Sequence, residues 1–95
     1  MDTNRLLDAG ERGTHLLFDR QLILDAFAQG QGDLRGLVRA RVDEIQAAVE
    51  ELVTVTEIAE ARRFLAALPR EIRHVIVLLY FELLDGRVRA RGRLH

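Results

Sequence analysis

The sequence lacks cysteine, lysine, serine and tryptophan, and it holds a single proline. Without cysteine, the chain can form neither disulfides nor thiolate metal sites, and it has no cysteine nucleophile. The absence of serine also excludes a serine nucleophile, and no glycine-rich phosphate loop is present. Hydrolase and transferase chemistry therefore has no candidate residues, and we expect a protein that is not an enzyme and needs no cofactor.

The sequence also lacks an excess of charge of either sign and any long apolar run. The net charge is −1, so there is no global attraction to nucleic acid or to anionic lipid. The longest apolar run, residues 75–81, is far shorter than the ~20 residues that span a membrane. All cations are arginine, which indicates GC-rich bacterial codon usage. We expect one cytoplasmic bacterial domain with no membrane contact.

The spacing of apolar residues predicts an all-α fold, a small antiparallel bundle of three to four helices. At ~100° per residue, apolar stripes are expected on helices over 14–29, 34–52, 54–68 and 70–84.

The chain is expected to divide into three parts. A lead-in, 1–13, with at most one helical turn precedes a helical domain, 14–86. An arginine-rich tail, 87–95, is expected to be disordered or a short strand.

Short local signals set the expected helix ends. Gly30 and Gly32 end the first helix, and Asp33 caps the second. Residues 53–56 are a β-branched run, which helices tolerate poorly, and a capping box begins at Thr54. These signals predict a boundary near residue 54.

Two alternatives stay open at this level. Residues 15–18 fit a strand as well as a helix, because short apolar runs are ambiguous. A single long helix over 34–68 also fits the pattern. Pro69 suits the first turn of the last helix, and Gly86 suits its end.

The fourth helix carries large apolar side chains on more than one side. Leu78 and Phe81 fall within its polar sector, and Tyr80 and Leu84 lie at the edge of that sector. Large apolar side chains that face outward mark a contact surface. The opposite face suits the core of one chain and consists of Ile72, Val75, Ile76, Leu79 and Leu83.

The first helix also has a second apolar stripe, which includes Phe18 and Leu22. A helix that is apolar on two sides is usually sandwiched between partners. We therefore expect a symmetric homodimer, the commonest soluble assembly, with another protein as the alternative partner. The remaining alternative is that the lead-in and the first helix cover this face within one chain.

These surfaces predict a small, non-enzymatic bacterial interaction or scaffold protein. A first alternative is a nucleic-acid-associated regulator, because the tail carries four arginines and no acid: Arg87, Arg89, Arg91 and Arg93. The tail has no aromatic residue to stack on bases, so nucleic acid is the less expected partner.

A second alternative is a metal-binding bundle. Glu71 and His74 match Glu-x-x-His, in which residues three apart lie on one helix face and reach one metal. A dimer would supply two such motifs, and the remaining carboxylates would come from Glu44, Glu50 or Glu51. Glu71 has a simpler role as well, because an acid in the first helical turn stabilises the helix dipole.

One short segment resembles the opening helix of the region of bacterial sigma factors that binds the promoter −35 element. It covers about fourteen of the 95 residues, Leu68-Pro69-Arg70-Glu71, then Val75, then Leu79-Tyr80-Phe81. In that family a recognition helix follows and reads the DNA. Here a turn is expected at 85–86 with no recognition helix after it, so the resemblance implies at most a transcription-related role.

Overall fold

The computed structural model describes residues 3–28 and 31–92, and the side chains at 31–34, 91 and 92 lie outside this part. All regular elements in it are α-helices, so the predicted all-α class is confirmed. The described part contains six helices where three to four were predicted: α1 (Thr3–Glu11), α2 (Arg20–Ala28), α3 (Gln31–Ala40), α4 (Val42–Thr54), α5 (Ile58–Ala67) and α6 (Arg70–Gly92).

The longest helix, α6, lies at the centre of the fold. It packs against α1, α2 and α4, while α4 also contacts α3 and α5. Val75 and Val77 are both fully buried, although they point about 200° apart around the helix axis. The first half of α6 is therefore covered on opposite sides by other parts of the same chain.

The segment expected to be a lead-in forms α1, which is part of the core. Leu6 and Leu7 are buried against α6, and each contributes about 1.5–3 kcal/mol relative to exposure. The helix continues past Gly10 and ends only before Gly13, which has a φ of 87°. The amide of Thr14 then donates to the carbonyl of Ala9 at 2.9 Å and closes the helix end.

The predicted first helix begins later than expected, at Arg20. Thr14 is not its cap: Asp19 takes that role, because its carboxylate accepts the amide of Leu22 at 2.7 Å. Residues 14–19 form neither helix nor strand. This loop places Leu17 and Phe18 in the core between the other elements.

The predicted helix over 34–52 turns at Arg41 and becomes two helices, α3 and α4. Arg41 has φ −129° and ψ 31°, outside helical geometry. Its guanidinium contacts Glu44 at 2.6 Å and Glu71 of α6 at 2.7 Å. These contacts raise the pKa of Arg41 and lower that of Glu44, chiefly through their mutual hydrogen bond. A contact across to α6 therefore accompanies the turn, and sequence spacing gives no sign of it.

The β-branched run does separate two helices, as predicted, and the single helix over 34–68 is not formed. Val55 and Glu57 both have extended backbone angles. The expected capping box is wrong, because the hydroxyl of Thr54 donates to the carbonyl of Glu51 at 2.7 Å. Thr54 thus belongs to the end of α4, and α5 begins only at Ile58.

The last helix does not stop at Gly86 but continues to Gly92, so the expected disordered or extended tail is wrong over 87–92. Among the described residues, Gly13 alone has the positive φ that favours glycine at a helix end. Arg87 instead contacts Asp8 of α1 at 2.6 Å, which holds the added turns against α1.

A glycine pair tests the docking of α1. A Cβ at Gly10 would collide with the hydroxyl of Tyr80 and lie 3.0 Å from Leu84, whereas a Cβ at Gly86 meets open space. We expect Gly10→Ala to lower the free energy of unfolding by about 1–3 kcal/mol through overpacking. Gly86→Ala should raise it by up to ~1 kcal/mol through helix propensity. Urea denaturation followed by circular dichroism measures both, and an equal gain in both variants would contradict the close approach.

Candidate functional site

Three of the residues expected at an interface are covered within the chain. Phe18, Tyr80 and Leu84 are buried, with Tyr80 only 5% exposed. For Tyr80 and Leu84 the reason is α1, whose Gly10 lies against both side chains and covers the face that was expected to be open. At Tyr80 and Leu84 the alternative of coverage by the lead-in therefore applies, and Phe18 is buried in the core of the same chain.

Leu78 and Phe81 have a different environment, since both are half-buried and line an open cleft between α2, α3 and α6. We call it the aromatic cleft, and its volume is about 650 Å³. Phe27, Arg35, Val38, Arg39, Val75, Leu78, Leu79, Phe81, Glu82, Asp85 and Arg89 line it. Leu22, the remaining predicted residue, lies elsewhere, in a small pocket beside α5.

A chain of ring contacts leads from the core to this cleft. Phe18 packs against Tyr80 with centroids 5.1 Å apart, Tyr80 against Phe81 at 5.1 Å, and Phe81 against Phe27 at 5.3 Å. His15 joins it through a 2.9 Å hydrogen bond with the Tyr80 hydroxyl, whose pKa is raised by burial. Phe27, which is 53% exposed, is the last ring of this series and lies at the surface.

The rim of the aromatic cleft carries both signs of charge. Arg35 and Arg39 lie on α3, while Glu82 lies across the cleft on α6. None of these three makes an ion pair with another residue of the described part. Arg89 and Asp85, by contrast, already pair with each other at 2.5 Å.

Phe27 and the α3 arginines are site residues that the sequence does not reveal. Phe27 lies on the same helical face as Ile23 and Leu24, so the sequence does not set it apart from other apolar residues of that helix. In the structure Leu24 and Phe27 are among the most exposed apolar residues. The later start of α2 and the contacts it makes with α6 decide which face is covered, and spacing alone does not.

A second surface lies between α1, α4 and α6 and is almost wholly apolar. We call this groove of about 340 Å³ the apolar groove, and it is lined by Thr3, Leu6, Leu7, Leu17, Phe18, Val49, Leu52, Val53, Ile76, Leu79, Tyr80, Glu82 and Leu83. Leu83 was expected in the core but is 57% exposed at this groove. The bulk of its lining belongs to the hydrophobic core.

Some arginines of the predicted nucleic-acid surface form ion pairs with acids of the same chain. Arg87 pairs with Asp8 at 2.6 Å and lies 3.9 Å from Glu11, and Arg89 pairs with Asp85. The side chain of Arg91 and all of Arg93 lie outside the described residues. The two described arginines are held beside acids, which reduces the positive field available to a phosphate.

The two residues of the predicted metal motif have different surroundings. Glu71 is exposed and pairs with Arg41, whereas His74 is only 2% exposed. Burial lowers the pKa of His74, Arg70 and Arg73 lower it further, and Asp25 opposes them. Over the described ranges, no group of three or more potential metal ligands forms.

Comparison with known proteins gives no relative: no protein-family model, curated protein or solved structure matches the chain significantly. Within residues 3–28 and 31–92, no helix combines the length and apolarity that crossing a membrane requires.

The buried His74 predicts a loss of stability in acid. Its pKa is lowered in the folded protein, so the unfolded chain, with a value near 6.5, takes up the proton first. The stability that depends on neutral His74 is complete above about pH 6.5 and is lost as the pH falls through the lower folded pKa.

Urea midpoints between pH 7.5 and 5 measure this effect. We expect the decline toward acid to be shallower in His74→Gln than in the parent protein, because glutamine does not titrate. Parallel pH profiles for the two proteins would contradict a buried neutral imidazole.

Proposed function

We propose that this chain is a non-enzymatic protein-interaction module that forms a two-fold homodimer through the aromatic cleft. The observation that carries the proposal is Phe27, a large ring that is more than half exposed and is nonetheless braced by Phe81 at 5.3 Å. Aromatic side chains that are fixed before binding lose little entropy when a partner covers them. Such residues, at the centre of a contact, supply much of the binding energy.

The charges around the cleft favour a second copy of the same chain. A two-fold axis through the cleft places Arg35 and Arg39 of one copy opposite Glu82 of the other, and the reverse. These three groups make no ion pair within the described part of one chain, so they are available to a partner. A rim that carries both signs complements itself, whereas a rim of one sign would repel its copy.

The depth of the cleft supplies the apolar contact that such a dimer needs. Leu78, Leu79 and Val38 continue the apolar surface from Phe27 and Phe81. With about 650 Å³ of space, the cleft accommodates the Phe27 ring and neighbouring side chains of a second copy. Burial of this surface in a dimer stabilises the association by about 25 cal/mol for each Å² of apolar area removed from water.

Two α2 residues of matched exposure test the proposal. Phe27 lines the cleft and Leu24, 52% exposed, does not. We expect Phe27→Ala to weaken the dimer by about 30-fold or more, the loss of roughly 2 kcal/mol typical of a central aromatic contact. Leu24→Ala should leave the dimer unchanged. Light scattering coupled to size exclusion, over a dilution series, measures the mass. A monomeric parent protein, or equal dissociation in both variants, would overturn the proposal.

A charge exchange tests the two-fold arrangement separately. Arg39→Glu and Glu82→Arg should each weaken the dimer, because each places like charges across the interface. The double variant should recover much of the parent affinity, since the pair is restored with opposite polarity. Additive losses in the double variant would show that these residues do not face each other between copies.

A further inference from the structure

A separate small pocket lies where the 14–19 loop and the start of α2 meet α5 and α6. Its volume is about 140 Å³, several times the ~30 Å³ that one water occupies in the liquid. Leu17, Leu22, Leu65 and Ala66 form its apolar walls. The polar groups that line it are Asp19 and two guanidiniums, Arg62 of α5 and Arg73 of α6. We call it the arginine pocket.

Arg73 contributes a buried donor that is unsatisfied by protein. Its Nε is inaccessible to solvent and forms no hydrogen bond with any described residue. Leaving a charged, buried N–H without an acceptor destabilises the folded protein. Arg73 thus imposes a cost on the fold, and the same residue lines the pocket.

Arg62 lines the pocket from α5 and is fixed there by the loop. Its Nε donates to the carbonyl of Leu16 at 2.7 Å. This bond orients the guanidinium and leaves its terminal nitrogens without an acceptor among the described residues. Arg62 and Arg73 therefore converge on one pocket from two different helices.

The balance of charge in the pocket is positive. Asp19 is its single acid, and that carboxylate already accepts the amide of Leu22 as a helix cap. Two guanidiniums against one carboxylate leave one unit of positive charge. Apolar walls on the other sides lower the local dielectric and strengthen attraction to an anion.

We infer that the arginine pocket binds a small oxyanion, a phosphate or carboxylate group, between Arg62 and Arg73. Guanidinium groups suit this ligand class, since their forked donors match two oxygens of one anion. The anion would contact Arg62 and Arg73 from the open side of the pocket, whereas the Nε of Arg73, which is inaccessible to solvent, stays out of its reach. This site is distinct from the aromatic cleft, and its occupancy does not require a dimer.

Thermal unfolding of the full chain, followed by circular dichroism, tests the inference. Sodium phosphate, sulfate or acetate replaces sodium chloride at constant ionic strength. We expect phosphate to raise the Tm progressively with concentration, by roughly 10–20 °C at a hundredfold excess over Kd. A response to phosphate and sulfate alone assigns a tetrahedral oxyanion, and an equal response to acetate assigns the carboxylate class.

Three variants separate this site from general salt effects. Arg62→Gln removes one guanidinium from an exposed position and should abolish most of the shift. Arg63→Gln, its exposed neighbour outside the pocket, is the matched control and should keep the full shift. Arg73→Met should raise the Tm in chloride, because the unsatisfied donor is gone, and should no longer respond to phosphate.

The inference is overturned if phosphate does not raise the Tm of the parent protein. It is equally overturned if the shift is the same in Arg62→Gln and Arg63→Gln, since phosphate then acts by exclusion from the whole surface. The comparison of these two exposed positions does not depend on how well Arg73→Met folds.

Discussion

The need to cover the apolar first half of α6 governs this structure. Between Ile72 and Tyr80 the helix carries buried side chains around most of its circumference, and Val75 and Val77 are fully buried on opposite sides. A helix that is apolar all round must be enclosed by other elements. In a chain of 95 residues, α1, α2 and α4 perform this enclosure, and the gaps between them become the clefts.

The covering of α6 also connects the core with the proposed interaction surface. Gly10 allows α1 to approach Tyr80, whose hydroxyl is held by His15. From Tyr80 the ring contacts continue through Phe81 to Phe27 at the aromatic cleft. Four of the five aromatic side chains in the sequence lie in this one series. The rigidity of the surface ring thus depends on packing that begins at α1.

Local chemistry made part of this fold predictable. The all-α class follows from apolar spacing, the boundary near residue 54 from a β-branched run, and the start of α6 from Pro69. Each signal acts within a few residues of itself, so no knowledge of distant contacts is needed. The burial of Ile72, Val75 and Ile76 was predicted correctly from their helical spacing, whereas Leu83 of the same stripe is exposed.

The features that the sequence did not reveal depend on contacts between distant segments. The turn at Arg41 accompanies its pairing with Glu71, and the continuation of α6 through Gly86 accompanies the pairing of Arg87 with Asp8. The residues of the candidate site also divide into those that local sequence signals revealed and those that they did not. Leu78 and Phe81 stood out because they interrupt a polar sector, whereas Phe27 lies on a stripe that resembles a core face.

Amide hydrogen exchange of the native protein tests the central position of α6 most directly. If α6 is enclosed, its amides from Val75 to Leu84 should be the slowest to exchange and should open only with global unfolding. Amides of α1 from Leu7 to Gly10 should be protected as well, since that helix is part of the enclosure. Exchange of α1 at the rate of an unstructured chain, or exchange in α6 no slower than in α3, would contradict the account.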